Sequence, residues 1–187
     1  MVSNNAAIKN VRLMGVNVKG KQNTGGLVGY LYGDDGRVTV EKVSVTGQVQ
    51  GTQYIGGLSG YASVADISQS CSAANVSQTE NKGLVGGLVG YAGFSSNFAD
   101  SYTTGSVATP SFSSIGGLVG YLIDGNIARC YTATQIVGPQ KAGLVGGVGN
   151  WQGTTITNSY YDRNTSGQGY DDMGKPKTTG EMQQQST

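Results

Sequence analysis

A six-residue phrase, Gly-Gly-Leu-Val-Gly-Tyr, stands at Gly25–Tyr30, returns with one change as Gly-Gly-Leu-Ser-Gly-Tyr at Gly56–Tyr61, and is repeated unchanged at Gly86–Tyr91 and Gly116–Tyr121. A worn fifth copy is read at Gly146–Asn150. The five starts are 31, 30, 30 and 30 residues apart. Self-similarity at one fixed period of this size marks a stack of like units, none of which can bury a core alone.

Composition says what kind of stack. With 32 Gly, only three Pro and many Ser and Thr among 187 residues, the chain reads as short strands joined by tight turns and leaves little room for helix. A hydrophobic share of 37% suffices for a core only if that core is thin. The expected fold is therefore all-β: a β-solenoid, drawn as a right-handed parallel β-helix with rungs of about 30 residues and roughly three short strands each. Residues 1–24 are expected to form the first rung and N-terminal cap, and 25–162 the repeats, divided near 25–55, 56–85, 86–115, 116–145 and 146–162. The polar stretch 163–187 has lost the period and reads as a C-terminal cap or linker tail.

Alternation sorts side chains into faces. The leucine file Leu27, Leu58, Leu88 and Leu118 accepts no polar replacement, whereas the neighbouring valine position accepts Ser59, so leucine is expected to point inward. One buried leucine contributes roughly 1.5–3 kcal/mol, too little for an isolated rung, so neighbouring rungs must share apolar faces. The glycines imply close packing of opposed strands across the thin core.

Each unit also carries a second segment, such as Asp100–Val107. Val43, Cys71, Ser101, Cys130 and Ser159 are aligned in one register, with Val45, Ala73, Thr103 and Thr132 two residues on and inward; Ser44, Ser72, Tyr102, Tyr131 and Tyr160 take the outer face. Cys71 and Cys130 then lie two inter-strand steps apart, beyond disulfide reach, and are expected to be free buried thiols. Between the two segments, Asp35, Asp66, Ser96 and Asn126 fall ten residues after the first glycine of their units and predict a polar ladder at a turn.

Two outward tyrosine files follow: Tyr30, Tyr61, Tyr91 and Tyr121 in the hexapeptide, and Tyr102, Tyr131 and Tyr160 in the second segment. Rings at this spacing can stack on one another, or form an aromatic strip with hydroxyl edges suited to sugar rings or to another solenoid's flank. These tyrosines are the candidate ligand-binding residues, and the four leucines the candidate structural core.

Catalysis is poorly supplied. The chain has no histidine, and two cysteines on separate rungs do not make a zinc site, so no catalytic residue, metal or cofactor is assigned. The one enzymatic alternative is carboxylate chemistry on a polysaccharide, with Asp35 and Asp66, Asp124 and Arg129, or Asp34 and Arg37 as candidates. Gly83–Gly87 leads into a strand rather than opening a helix and carries no phosphate-loop signal. A net charge of +1, with charged residues at 12%, argues against nucleic-acid binding, and no apolar run is long enough for membrane insertion. Met1–Asn5 lacks the basic and apolar regions of a signal peptide, so an export signal, if the protein has one, is expected outside this segment.

The repeated phrase resembles the bacterial GLUG repeat, in which Gly-Gly-Leu-Val-Gly-Tyr is followed by a turn and then Asn-Ser-Tyr-x-Thr-Gly-x-Val. Gly116–Tyr121 and Asp100–Val107 are close matches, while Ser70–Val76 lacks both the tyrosine and the glycine. The resemblance covers about 25–162, and Asn158–Asp162 with the Lys177–Met182 stretch is similar to the segment that closes such arrays. It implies a module of large secreted or surface-anchored bacterial proteins, with extracellular or cell-surface location and no catalytic residues. The function expected is therefore non-catalytic: adhesion to glycans or host and matrix surface proteins, or a structural stalk. Self-association through the solenoid ends, giving a filament or matrix subunit, is the alternative.

Overall fold

Each repeat folds into one turn of a parallel β-solenoid of about five turns. The computed structural model describes residues 1–80, 83–110, 114–139, 141–168 and 173–184. Part of the tail, 169–172 and 185–187, lies outside the described residues.

A full turn holds four strands rather than three, because the hexapeptide is itself bent. In the second unit the strands are Tyr54–Gly56, Ser59–Ser63, Ala65–Ser68 and Cys71–Gln78, with the Gly57–Leu58 corner between the first two. Stacked turns build a four-stranded short sheet, a five-stranded hexapeptide sheet, a six-stranded sheet and a seven-stranded long sheet. Among the described residues the strand pairings are parallel and, apart from a shift between Leu13 and Val16, in register from rung to rung, for example Tyr30↔Tyr61 and Tyr61↔Tyr91.

The bend divides the interior in two. One core holds Leu58, Leu88, Leu118 and Leu144 with Ile67, Phe98 and Ile127. The other stacks Ile55, Val85 and Ile115 against Val49, Val76, Val107 and Ile136. Between them the second glycine of each hexapeptide crosses onto the long sheet: a Cβ on Gly57 would overlap the Ser72 hydroxyl, and one on Gly87 would stand 3.1 Å from Thr103 Cβ. The Thr103 and Thr132 hydroxyls donate to the Gly117 and Gly143 carbonyls at 2.7 Å, so the waist is pinned by buried hydrogen bonds.

Leu58, Leu88 and Leu118 are fully buried, but Leu27 is only half-buried. Among the described residues, the first rung places Val2–Ser3, Ala7–Lys9 and Arg12–Lys19 beside the first full turn but puts no hexapeptide over Leu27. The same three strands make residues 1–24 most of a turn.

Two registers differ from expectation. The fifth hexapeptide is Ala142–Gly147, not the copy at Gly146, since Gly116 bridges to Ala142, Val119 to Val145 and Leu122 to Val148. In the second unit, Cys71 rather than Ser72 lies beside Ser44 and Tyr102, and Ser72 beside Val45 and Thr103. One residue of slip inverts the faces. Ser72 and Ala74 are therefore buried, Ala73 is exposed, and Cys71 sits half-exposed at the head of the tyrosine file; only Cys130 is a buried thiol.

The tail continues the solenoid. Lys175–Lys177 pairs with Tyr160–Asp162 and adds a strand to the long sheet. Short helices Arg163–Ser166 and Thr179–Gln183 flank it, the second closed by a capping box between Thr178 and Glu181. Tyr161, fully buried, fills the end of the leucine core. No described helix is long and apolar enough to cross a membrane.

Candidate binding surface

The outer face of the hexapeptide sheet carries the first tyrosine file. Parallel in-register pairing puts one ring on each rung, and the rings stack: Tyr30 on Tyr61 at 4.5 Å and 13°, Tyr61 on Tyr91 at 5.0 Å and 20°, and Tyr91 on Tyr121 at 6.2 Å and 8°. The file ends at Tyr121 because the next hexapeptide has Gly147 where tyrosine would stand. Two further rings join it. Tyr54, from the short sheet, lies 5.2 Å from Tyr91, and Tyr32 lies 5.9 Å from Tyr30. Neither is repeated in other units; for Tyr54 the only signal in the sequence was its alternation with the inward Ile55.

Because each ring faces the next along the solenoid axis, the strip presents edges and hydroxyls outward and keeps most ring faces to itself. Burial, then the neighbouring phenols, pushes Tyr61 and Tyr91 above the ordinary tyrosine range. Tyr61 and Tyr91 are thus uncharged across physiological pH.

The second file is shorter than expected. Tyr102 and Tyr131 stack at 5.0 Å and 3°. Tyr160 is the register partner of Tyr131 but does not stack on it; instead the Lys177 ammonium lies 4.3 Å over the Tyr160 ring. The tail strand brings that lysine in. A hydrogen bond with the Cys71 thiol is the main cause that pushes the Tyr102 phenol up to about 12.

The carboxylates are arranged as braces. Asp66, Asn97, Asn126 and Thr155 are register partners and form the polar ladder. Asn97 donates to Asp66 at 2.8 Å, Asn126 to Asn97 at 2.8 Å, and Thr155 to Asn126. Asp35 and Ser96 are not members. The first unit has a longer corner, which leaves Asp35 in the turn and puts Thr39 beside Asp66, while Ser96 is buried one residue before the ladder.

The proposed acid pairs do not assemble either. Arg37 forms a two-pronged bond to Asp66 at 2.7 and 2.6 Å, not to Asp34, and Arg129 pairs with Asp100 rather than Asp124. Burial works to raise Asp66, but hydrogen bonds from Arg37 and Asn97 outweigh it and hold the carboxyl below its usual range. Among the described residues no cluster of three metal-ligating side chains occurs.

Comparison of the chain with family models, with curated proteins and with solved structures finds no match.

Proposed function

We propose that this chain is a non-catalytic repeat module of a bacterial surface or secreted protein, a stiff spacer whose outer face also serves adhesion. The observation that carries the reading is the unbroken stack from Tyr30 to Tyr121, which ties four successive rungs together from outside. Each ring pair adds roughly 0.5–1.5 kcal/mol beyond burial, and each links one turn to the next. The similarity of the repeats to the GLUG pattern supports the extracellular setting. Asp66 and Asp100, held by arginines from neighbouring rungs, act as structural braces, which supports a scaffold over an enzyme.

The long sheet ends at Arg12–Lys19, whose register shifts between Leu13 and Val16 around Gly15, at φ 64°. A bulge flanked by Arg12 and Lys19 guards a sheet edge against pairing with another copy, which favours the spacer over the filament.

The test is a Tyr61→Ala/Tyr91→Ala variant, measured for stability and for binding to arrays of glycans and matrix proteins. A loss of about 2–5 kcal/mol is expected from the broken ring pairs; unchanged stability would overturn the bracing role. Saturable binding that disappears in the variant would assign adhesion to the strip. For location, an antibody against the module is expected to label intact bacteria, and labelling only after permeabilisation would refute the surface assignment.

A further inference from the structure

The tyrosine strip spends its ring faces on itself, so a ligand that needs an open aromatic face must find it elsewhere. The second file supplies one. Tyr131 stacks on Tyr102 with one face, and among the described residues no ring covers the other, which looks along the axis toward Tyr160. Tyr131 is 39% exposed. Below it Thr104 and Ala133, register partners on the outer face of the long sheet, make a floor of small side chains. The C-terminal helix Thr179–Gln183 forms the opposite wall. Together they flank a half-open cleft of about 430 Å³. That lies within the range of small-molecule sites, roughly 300–1,000 Å³, and Gln183 and Gln184 add polar side chains to the lining.

The polar groups narrow the ligand. Asp162 lines the cleft but is fully engaged: Oδ1 accepts from the Asn164 and Thr165 amides, and Oδ2 from the Thr165 and Thr179 hydroxyls at 2.8 Å each. Glu181 accepts from Thr178 through Oε2 only, at 2.7 and 2.8 Å, and no described donor reaches its Oε1. The Lys177 ammonium, over Tyr160, is in no ion pair among the described residues. The site thus pairs a flat aromatic face with one open carboxylate acceptor and one open ammonium donor. A hydroxyl both gives and takes a hydrogen bond, so vicinal hydroxyls can engage both groups at once. Two carboxylates against one ammonium leave the lining negative, which disfavours an anionic sugar.

We propose that this cleft is a carbohydrate subsite that takes a neutral pyranose, its C–H face on Tyr131 and its hydroxyls on Glu181 Oε1 and Lys177. The inference rests on the adhesive half of the proposed function and moves adhesion from the strip to the C-terminal end of the long sheet.

The experiment is calorimetric and NMR titration of the whole chain with cellotriose, maltotriose and mannotriose, with trigalacturonate as the anionic arm. At least one neutral trisaccharide is expected to bind saturably and more tightly than trigalacturonate. Tyr131→Ala should weaken it about tenfold, roughly what loss of one aromatic partner brings. Ala133→Trp, which fills the cleft from its floor, should abolish binding with the melting curve checking that the variant folds. Binding that survives both cleft variants but falls in Tyr61→Ala overturns the subsite while keeping adhesion on the strip, and stronger binding of trigalacturonate overturns the neutral-sugar assignment. No binding by any of the four overturns both the subsite and glycan adhesion and leaves the spacer.

Discussion

Val64 sits at a corner with φ 51°, and its amide donates to the Phe94 carbonyl of the next rung at 2.8 Å, which holds the backbone there. A β-branched residue in the left-handed region is strained by roughly 1–2 kcal/mol, whereas asparagine tolerates it. Val64→Asn is therefore expected to raise stability by about 1 kcal/mol in urea unfolding; a lower midpoint would mean that the half-buried valine methyls matter more than the strain. A second corner repeats the same backbone six times, at Asn10, Lys42, Gln69, Asp100, Arg129 and Asn158, with φ between 48° and 57°. No glycine marks that position, so it was invisible as a turn in the sequence. Two of its three charged members, Asp100 and Arg129, stand on adjacent rungs and bond at 2.6 Å, a pairing that becomes readable only once the corner is aligned.

Among the elements, the C-terminal cap turns on one side chain. Asp162 closes the helix Arg163–Ser166 through two backbone amides and reaches Thr179 of the next helix, so a single carboxylate joins strand and both helices. Burial works to raise its pKa, but the Thr179 and Thr165 hydroxyls and two amides outweigh it, and the net shift is downward. A lowered carboxyl stabilises fully above the unfolded aspartate value, about 3.9, and that contribution is lost as pH falls through the lower folded value. Acid titration should therefore release amide protection in Lys175–Lys177 and Thr179–Gln183 before the central rungs open. At neutral pH, Asp162→Ala should cost about 1–2 kcal/mol, as loss of a helix cap does. Protection of the tail that persists to the global acid transition would show that the cap is held by other contacts. A cap at 163–187 is legible in the sequence, but its strand and two helices are not, because the repeat fails at Arg163. The second unit departs from the expected register for a related reason: its loops differ in length from its neighbours', which shifts Cys71 by one residue, to lie beside Ser44 and Tyr102. Val49, Val76, Val107 and Ile136 would have corrected it, since a buried apolar file constrains register more tightly than small surface residues do.

Over the whole molecule, the period was enough to give parallel stacking, the inward leucines and the outward tyrosines. It could not give the waist, which depends on where a bent hexapeptide crosses the long sheet, or the place of Lys177 over the Tyr160 ring, since that lysine arrives from outside the repeat. A solenoid of this kind is held rung to rung, and its stability is close to a sum of nearest-neighbour terms. The ends should therefore open independently of each other and before the middle. At one end, Arg12–Lys19 pairs on one side only and Leu27 lacks a covering leucine; at the other, Tyr161 and the added strand close the core. Hydrogen exchange is expected to rise in protection from Arg12–Lys19 through Ser44–Gly51 to a maximum across Cys71–Gln78 and Tyr102–Ala108. Leu88→Ala, in the middle, should cost about 2–5 kcal/mol and lower that maximum for the whole molecule. Asp162→Ala should lower protection only near the C-terminal end and leave the Arg12–Lys19 gradient as it was. Equal protection along the chain in the wild type, or a loss at Arg12–Lys19 caused by Asp162→Ala, would show one cooperative unit instead of a stack of coupled rungs.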